Sequence, residues 1–345
     1  MLVPLINYMN NTIKYLFGAI IVLVIVYFMG PHPKPPKINT DPILPIGPLN
    51  QLDNIIAEKE SQFPLKPDNQ ARIVWADSTQ QMTEYAIVYL HGFSASQMEG
   101  NPVHRDIAKK FGCNLYLSRL SDHGIDTSEA LLQLTGDRLW ESAKKALSVG
   151  KSLGNKVILM STSTGGTLAL MLAAYYPKDV YALVNMSPNI AIKAPTSRLL
   201  NDPWGLQISR LVMGSIYNHI DYDSSGSVYW NNKYRLEALT ELEELVESQM
   251  HPRLFKKVNQ PCLNLYYYKD ETHQDDVVDV QAILKMHDAL ASKKKVAVPI
   301  PSAGNHVIGG SILSQDIQAV EDQIEKFMID VLKINPKQQN NISLK

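Results

Sequence analysis

Cysteine is nearly missing: Cys113 and Cys262 are the only two in 345 residues. Two thiols cannot build a framework of bridges. Each opens an apolar run, CNLYL and CLNLYYY, that reads as a buried strand, where a thiol serves as packing. An excess of charge of either sign is missing as well, the formal net charge being −1. With no basic surface to release counterions, nucleic acid is not an expected partner. The glycines form neither GxGxxG nor a P-loop, so no nucleotide cofactor is indicated. His273 with Asp275 and Asp276 could ligate a divalent cation, but no second cluster with ligand spacing joins them, and no metal is expected. Internal repeats are absent too. What remains is an ordinary globular composition, 45% hydrophobic and 19% charged, which excludes a disordered chain and supplies a core.

Charge is also lacking from Tyr15 to Pro33, around the run AIIVLVIVYF. The bulky Tyr27, Phe28 and Met29 spoil a signal-peptide cleavage site, so residues 1–30 are expected to form an uncleaved transmembrane helix that anchors the chain in a membrane. Lys14 and the α-amine on one side face Lys34 and Lys37 on the other, which leaves the orientation undecided. The proline-rich residues 31–47 read as a stiff spacer, and residues 48–345 as the globular domain.

In that domain short apolar runs at 86–90, 114–118, 156–161, 181–187, 262–268 and 296–300 suit buried strands. Amphipathic stretches at 102–111, 137–153, 164–176, 278–291 and 314–332 lie between or after them. Alternation of this kind predicts an α/β domain: a mostly parallel central sheet with helices on both faces. From about 190 to 260 no strand is expected, and helical patterns predict an inserted lid. Leu236, Leu239, Leu242, Leu245 and Val246 recur there at helical spacing, as packing of the lid.

Chemistry concentrates at four strand ends. KVILM runs into Ser161-Thr162-Ser163-Thr164-Gly165-Gly166 and then a helix, the strand–turn–helix context of a nucleophile elbow, with serine where its first glycine is usual. Ser163 would stand exposed on the turn, with the Thr164 N–H at a helix N-terminus facing developing negative charge. His91-Gly92-Phe93 follows strand AIVYL, and the Phe93 N–H is the expected second oxyanion donor. His91 is expected to organise that loop. A serine needs a histidine to take its proton and a carboxylate to orient that histidine. His306, between the last strand and the last helix, suits the base. The acid lies in KDETHQDDVVD, which offers Asp270, Glu271, Asp275 and Asp276.

Over roughly residues 71–332 these marks, with RLSDHGID at 119–126 and GNHVI at 304–308, resemble the α/β-hydrolase superfamily, and within it lid-bearing serine esterases and monoacylglycerol-lipase-like enzymes. In that fold the acid commonly precedes two β-branched residues and a helix, which favours Asp275 and keeps Asp270 and Asp276 as alternatives. The resemblance implies a serine hydrolase cleaving hydrophobic acyl esters, with Ser163, Asp275 and His306 as triad, Phe93 and Thr164 as oxyanion donors, and a catalytic domain on the extracytoplasmic side. An amidase, peptidase or thioesterase could use the same triad, and a non-catalytic binding protein could keep the fold. Ser161 and Asp122 depart from the usual pattern of the family.

Overall fold

The computed structural model describes residues 11–337. In chain order these form α1 (Asn11–Phe28), α2 (Leu52–Glu60), β1 (Arg72–Val74), β2 (Thr83–Leu90), α3 (Val103–Phe111), β3 (Asn114–Leu117), α4 (Gly136–Leu153), β4 (Gly154–Thr162), α5 (Thr164–Tyr175) and β5 (Val180–Met186). An insertion follows, with α6 (Gly205–Met213), β6 (Tyr217–His219), α7 (Ser224–Tyr229), β7 (Lys233–Arg235), α8 (Glu237–Gln249) and α9 (Pro252–Phe255). Then come β8 (Cys262–Tyr266), α10 (Val280–Ala289), β9 (Lys295–Pro299) and α11 (Ile317–Lys326).

Seven strands make one sheet in the order β1-β3-β2-β4-β5-β8-β9, parallel except for the edge pair β1–β3. Period-two alternation sorts their side chains between two cores. Ala86, Val88 and Leu90 of β2 and Val157 and Leu159 of β4 face the layer of α4 and α5, centred on Trp140. Ile87, Tyr89, Ile158 and Met160 face the layer of α3 and α11. Burial on both faces is why these strands read as continuous apolar runs. The chain leaves β2 for β3 on one side and returns to β4 on the other, so the carboxyl ends of the adjacent strands β2 and β4 meet where the winding reverses, the usual position of a site in such sheets.

The insertion is largely helical, but it also holds the antiparallel pair β6–β7, which sequence periodicity missed because three-residue strands carry no period. Leu236, Leu242, Leu245 and Val246 are buried, as expected of packing residues.

Two expectations at the N-terminus need correction. The apolar stretch forms α1, whose 18 residues reach only about 27 Å at 1.5 Å each. Its first turn spends part of that length on Asn11 and Lys14, whereas a crossing takes about 20 apolar residues. Among the described residues no helix is long and apolar enough to cross a membrane. The transmembrane helix is therefore not part of the fold, and the membrane-anchored, extracytoplasmic placement built on it falls with it. The end of α1 instead meets the insertion, where the Trp204 indole N–H donates to the Val26 carbonyl (2.9 Å) and the Trp204 backbone N–H to Pro31 (3.0 Å).

Residues 31–47 lack regular structure, as their prolines dictate, but they run along the α4 layer. The Asn39 carbonyl accepts from the Trp140 indole (2.8 Å), the Lys151 ammonium donates to the Ile43 carbonyl (2.7 Å), and the Ile43 side chain is buried. Ile43→Ala should cost about 2 kcal/mol, the low end for a buried isoleucine, and lower the melting temperature. An unchanged melt would mean that the segment is a free tether.

Candidate active site

The sharpest turn in the sheet lies between β4 and α5. Ser163 sits there at φ 52°, ψ −119°, outside the regions open to most L residues. Its N–H donates to the Met186 carbonyl (3.1 Å), and its own carbonyl accepts from Gly166 (2.8 Å) and Asn189 (2.9 Å). Two glycines make the turn possible. A Cβ on Gly165 would stand 2.0 Å from the Leu90 carbonyl oxygen, and one on Gly166 would stand 2.5 Å from Pro188. Serine replaces the first glycine of the motif because its hydroxyl has a partner. Ser161 Oγ donates to Asn185 Oδ1 (2.9 Å), Asn185 Nδ2 to Asn264 Oδ1 (2.9 Å), and Asn264 Nδ2 to His287 Nδ1 (3.1 Å). The first three residues are register neighbours on β4, β5 and β8.

Leu90 pairs with Ser161 in the β2–β4 register, so the loop after β2 begins beside the elbow. Two histidines fix that loop to the one after β3. His91 Nε2 accepts from the Leu120 N–H (3.0 Å) while Nδ1 donates to the Gly92 carbonyl (2.8 Å). Reciprocally, His123 Nε2 accepts from the Ser94 N–H (3.0 Å) and Nδ1 donates to the Ser121 carbonyl (2.8 Å). Both rings are therefore neutral Nδ1–H tautomers, and burial drives both downward, His91 well below the ordinary imidazole value and His123 to about 4. Asp122, the other departure from the motif, forms a bidentate pair with Arg138 at 2.7 Å on both arms. Among the described residues the N–H groups of Phe93 and Thr164 have no hydrogen-bond acceptor.

The loop after β9 brings His306 to the same edge. Its Nδ1 donates to Asp275 Oδ2 at 2.7 Å, and Asp275 Oδ1 accepts from the N–H groups of Val277 (2.9 Å) and Val278 (3.0 Å). Burial alone would lower the imidazole pKa, but the charge and hydrogen bond of Asp275, with Glu99 and Asp276 beyond, outweigh it and raise it above the ordinary value. Burial likewise opposes the Asp275 charge, yet His306 and the two backbone donors hold the carboxyl below its usual range. Of the other acids in that segment, Asp270 is exposed and pairs with His273 (2.8 Å), and Asp276 is exposed. Geometry thus brings Asp275 alone to His306. Among the described residues no group of three or more His, Cys, Asp or Glu side chains could hold a metal ion.

The insertion roofs this edge. Trp230 packs with Ala95 and Val307, the Asn231 N–H donates to the Ser94 carbonyl (2.9 Å), and Lys193 Nζ donates to the Asp275 carbonyl (2.5 Å). Ser163 is left 6% exposed, His306 7% and Asp275 0%. One residue escaped the sequence reading altogether. Glu99, 2% exposed, accepts the Gly92 N–H on Oε2. Only a buried-looking acid beside a glycine in SASQMEG could have hinted at it.

No family model matches the sequence, and neither does any curated protein. Solved structures do match. One, from work on the metagenome-derived lipolytic enzymes LipS and LipT, is 14% identical, covers 77% of this chain and 99% of its own, and gives a TM-score of 0.62. A soluble variant of monoglyceride lipase from Saccharomyces cerevisiae, in complex with a substrate analogue, is 14% identical over 78% of this chain and 92% of its own, with a TM-score of 0.53. Est1E from Butyrivibrio proteoclasticus, with ferulic acid bound, is 15% identical over 76% and 95%, with a TM-score of 0.52. The chain has the α/β-hydrolase fold, which these lipases and esterases share.

Two outcomes follow for stability. Gly165→Ala, driven into the Leu90 carbonyl, should lose soluble folded protein or several kcal/mol in a urea melt; full stability would contradict the close approach. His91 and His123 stay neutral when folded but charge below about pH 6.5 when unfolded. Their contribution is thus complete above that pH and lost as pH falls toward about 4 for His123 and lower for His91. Urea melts from pH 7 to 4 should show this fall and a shallower one in His123→Gln. Equal slopes would remove His123 from the account.

Proposed function

We propose that the protein hydrolyses carboxylic esters through an acyl-enzyme, with Ser163 as nucleophile, His306 as general base and Asp275 as its orienting acid. The observation that carries this reading is the 2.7 Å bond from His306 Nδ1 to buried Asp275, at the sheet edge where Ser163 stands in a strained turn. With Nδ1 protonated toward Asp275, Nε2 is the nitrogen that accepts a proton.

In the first step Ser163 Oγ bonds to the ester carbonyl carbon as its proton passes to His306 Nε2. The oxyanion forms against the N–H groups of Phe93 and Thr164, whose lack of internal acceptors supports that role. Each such donor is worth about 10²–10³ in rate. The carbon–alkoxide bond then breaks, and the alcohol leaves with the proton from His306. Water repeats the sequence on the acyl-enzyme and releases the acid, regenerating Ser163. A substrate with a hydrophobic acyl chain suits the insertion, whose helix α6 exposes Ile208, Leu211, Val212 and Met213. The lipolytic enzymes of like fold favour the same substrate class.

The full chain should hydrolyse p-nitrophenyl esters, and a series from two to sixteen carbons will size the acyl site. Ser163→Ala should abolish turnover, and Asp275→Asn should lower kcat by about 10⁴, as loss of an orienting acid does. Because Asp275 raises the base's pKa, activity on the acid side should climb with a midpoint above the ordinary imidazole value of about 6.5. Full activity in folded Ser163→Ala would end this reading. Turnover confined to amide or thioester substrates would move it to another acyl group with the same residues.

A further inference from the structure

The proposed mechanism leaves unused a buried carboxyl that touches its machinery. Glu99 lies in the turn Gln97–Gly100, ahead of α3. Its Oε2 accepts the N–H of Gly92, the residue preceding Phe93, and its Oε1 accepts no hydrogen bond from any described residue. A methyl group placed on Gly92 would stand 2.7 Å from Glu99 Oε1 and 3.0 Å from Ser163 Cβ, so the carboxyl and the nucleophile's side chain flank one point. The same turn is locked to the histidine loop. A Cβ on Gly310 would stand 2.6 Å from the Glu99 carbonyl oxygen, and the Ser311 N–H donates to the Asn101 carbonyl (2.8 Å). One short turn therefore grips the loop carrying Phe93 through a side chain and the loop carrying His306 through its backbone.

We propose that Glu99 is a positioning residue of the reaction: as a neutral acid it clamps the Gly92 amide, which aims the adjoining Phe93 N–H at the oxyanion, and its ionisation weakens the site. This inference rests on the ester-hydrolase reading. A clamp needs only an acceptor oxygen, which the neutral acid supplies. A full negative charge beside Ser163 would instead oppose the oxyanion that forms there. The surroundings favour the neutral form. Burial pushes the carboxyl up to about 7, against the opposing pull of the Gly92 N–H and His306. The titratable groups around it are His306 from the loop after β9, Tyr89 from β2 and Tyr222 from the insertion. Both tyrosines are themselves pushed upward, first by burial and then by Glu99. No lysine or arginine is among the groups that move its pKa.

The sign follows directly. Below about pH 7 the carboxyl is protonated and the clamp works without charge; above it the site gains a negative charge and activity declines on the alkaline side. The discriminating variants are Glu99→Gln, which keeps an acceptor for Gly92 and can never ionise, and Glu99→Leu, which removes the acceptor. Two readouts are taken from pH 5 to 9 on the full chain: hydrolysis of a p-nitrophenyl ester and the rate at which a fluorophosphonate labels Ser163. Thermal melts confirm that each variant is folded.

Glu99→Gln should stay within about threefold of wild type at pH 6 and lose the alkaline decline in both readouts. Glu99→Leu should fall roughly 10²-fold in kcat and in labelling rate, with KM little changed, as for a lost oxyanion donor. If folded Glu99→Leu matches wild type, the clamp does not exist. If Glu99→Gln falls as far as Glu99→Leu, the charge is needed and the proposal is overturned in favour of a working carboxylate. A wild-type protein that fails to label at Ser163 would instead take down the ester-hydrolase reading itself, and the proposal with it.

Discussion

The contact between Gly165 and the Leu90 carbonyl oxygen is the constraint from which the site is built. A turn tight enough to hold Ser163 at φ 52° brings the start of α5 against the end of β2, and only a residue without a side chain fits between them. The same closeness sets the loop after β2 beside the serine, and it requires β2 and β4 to be neighbours with their carboxyl ends level. The sheet order, with its reversal between these strands, meets that requirement. Strain at one residue is tolerated because the packing of a two-layered core over-determines it.

Around that turn, loops of irregular backbone must hold their shape without ladders of their own. They do so by pairing across one another. His91 reaches to Leu120 and His123 reaches back to Ser94, so each loop supplies the acceptor that the other's N–H needs. Asp122 is drawn to Arg138 on α4. Such buried polar pairs are costly when half made, which favours a single arrangement over many similar ones. The roof formed by the insertion is fastened to one of these loops at Ser94 and to the loop after β8 at Asp275, so covering the site and shaping it are one act of folding.

Much of this was legible in the sequence because it is written in strong local signals. Strands buried on both faces leave continuous apolar runs, and the turn after β4 demands small residues, so the sheet, the elbow and the small-residue loop of His306 could be read directly. The choice among Asp270, Asp275 and Asp276 leaned on the family resemblance, which favoured Asp275, since all three lie on one loop and the residues alone do not say which is buried against the imidazole. Glu99 was illegible for a similar reason: its side-chain partner is the Gly92 amide, and a backbone group leaves no mark in a sequence. The N-terminal helix misled in the opposite way. Its composition is that of a membrane span, but its length is not, and apolar character alone does not measure length.

The row of Ser161, Asn185 and Asn264 bears on how the sheet assembles. All three point into the apolar layer beneath α4 and α5, where Ser161 bonds Asn185 and Asn185 bonds Asn264. A slip of β5 by one residue would turn Asn185 into the opposite apolar layer and orphan the serine, and a slip of β8 would turn Asn264 likewise and take from the Asn185 amide its carbonyl partner, at a cost of about 1–3 kcal/mol for each unpaired group. Runs of valine, leucine and isoleucine could slide past one another with little penalty. The polar row forbids it and so acts as an alignment key for three central strands. The hydroxyl that stands in for a glycine at the elbow thereby keeps the strand ends level when the chain first finds its fold.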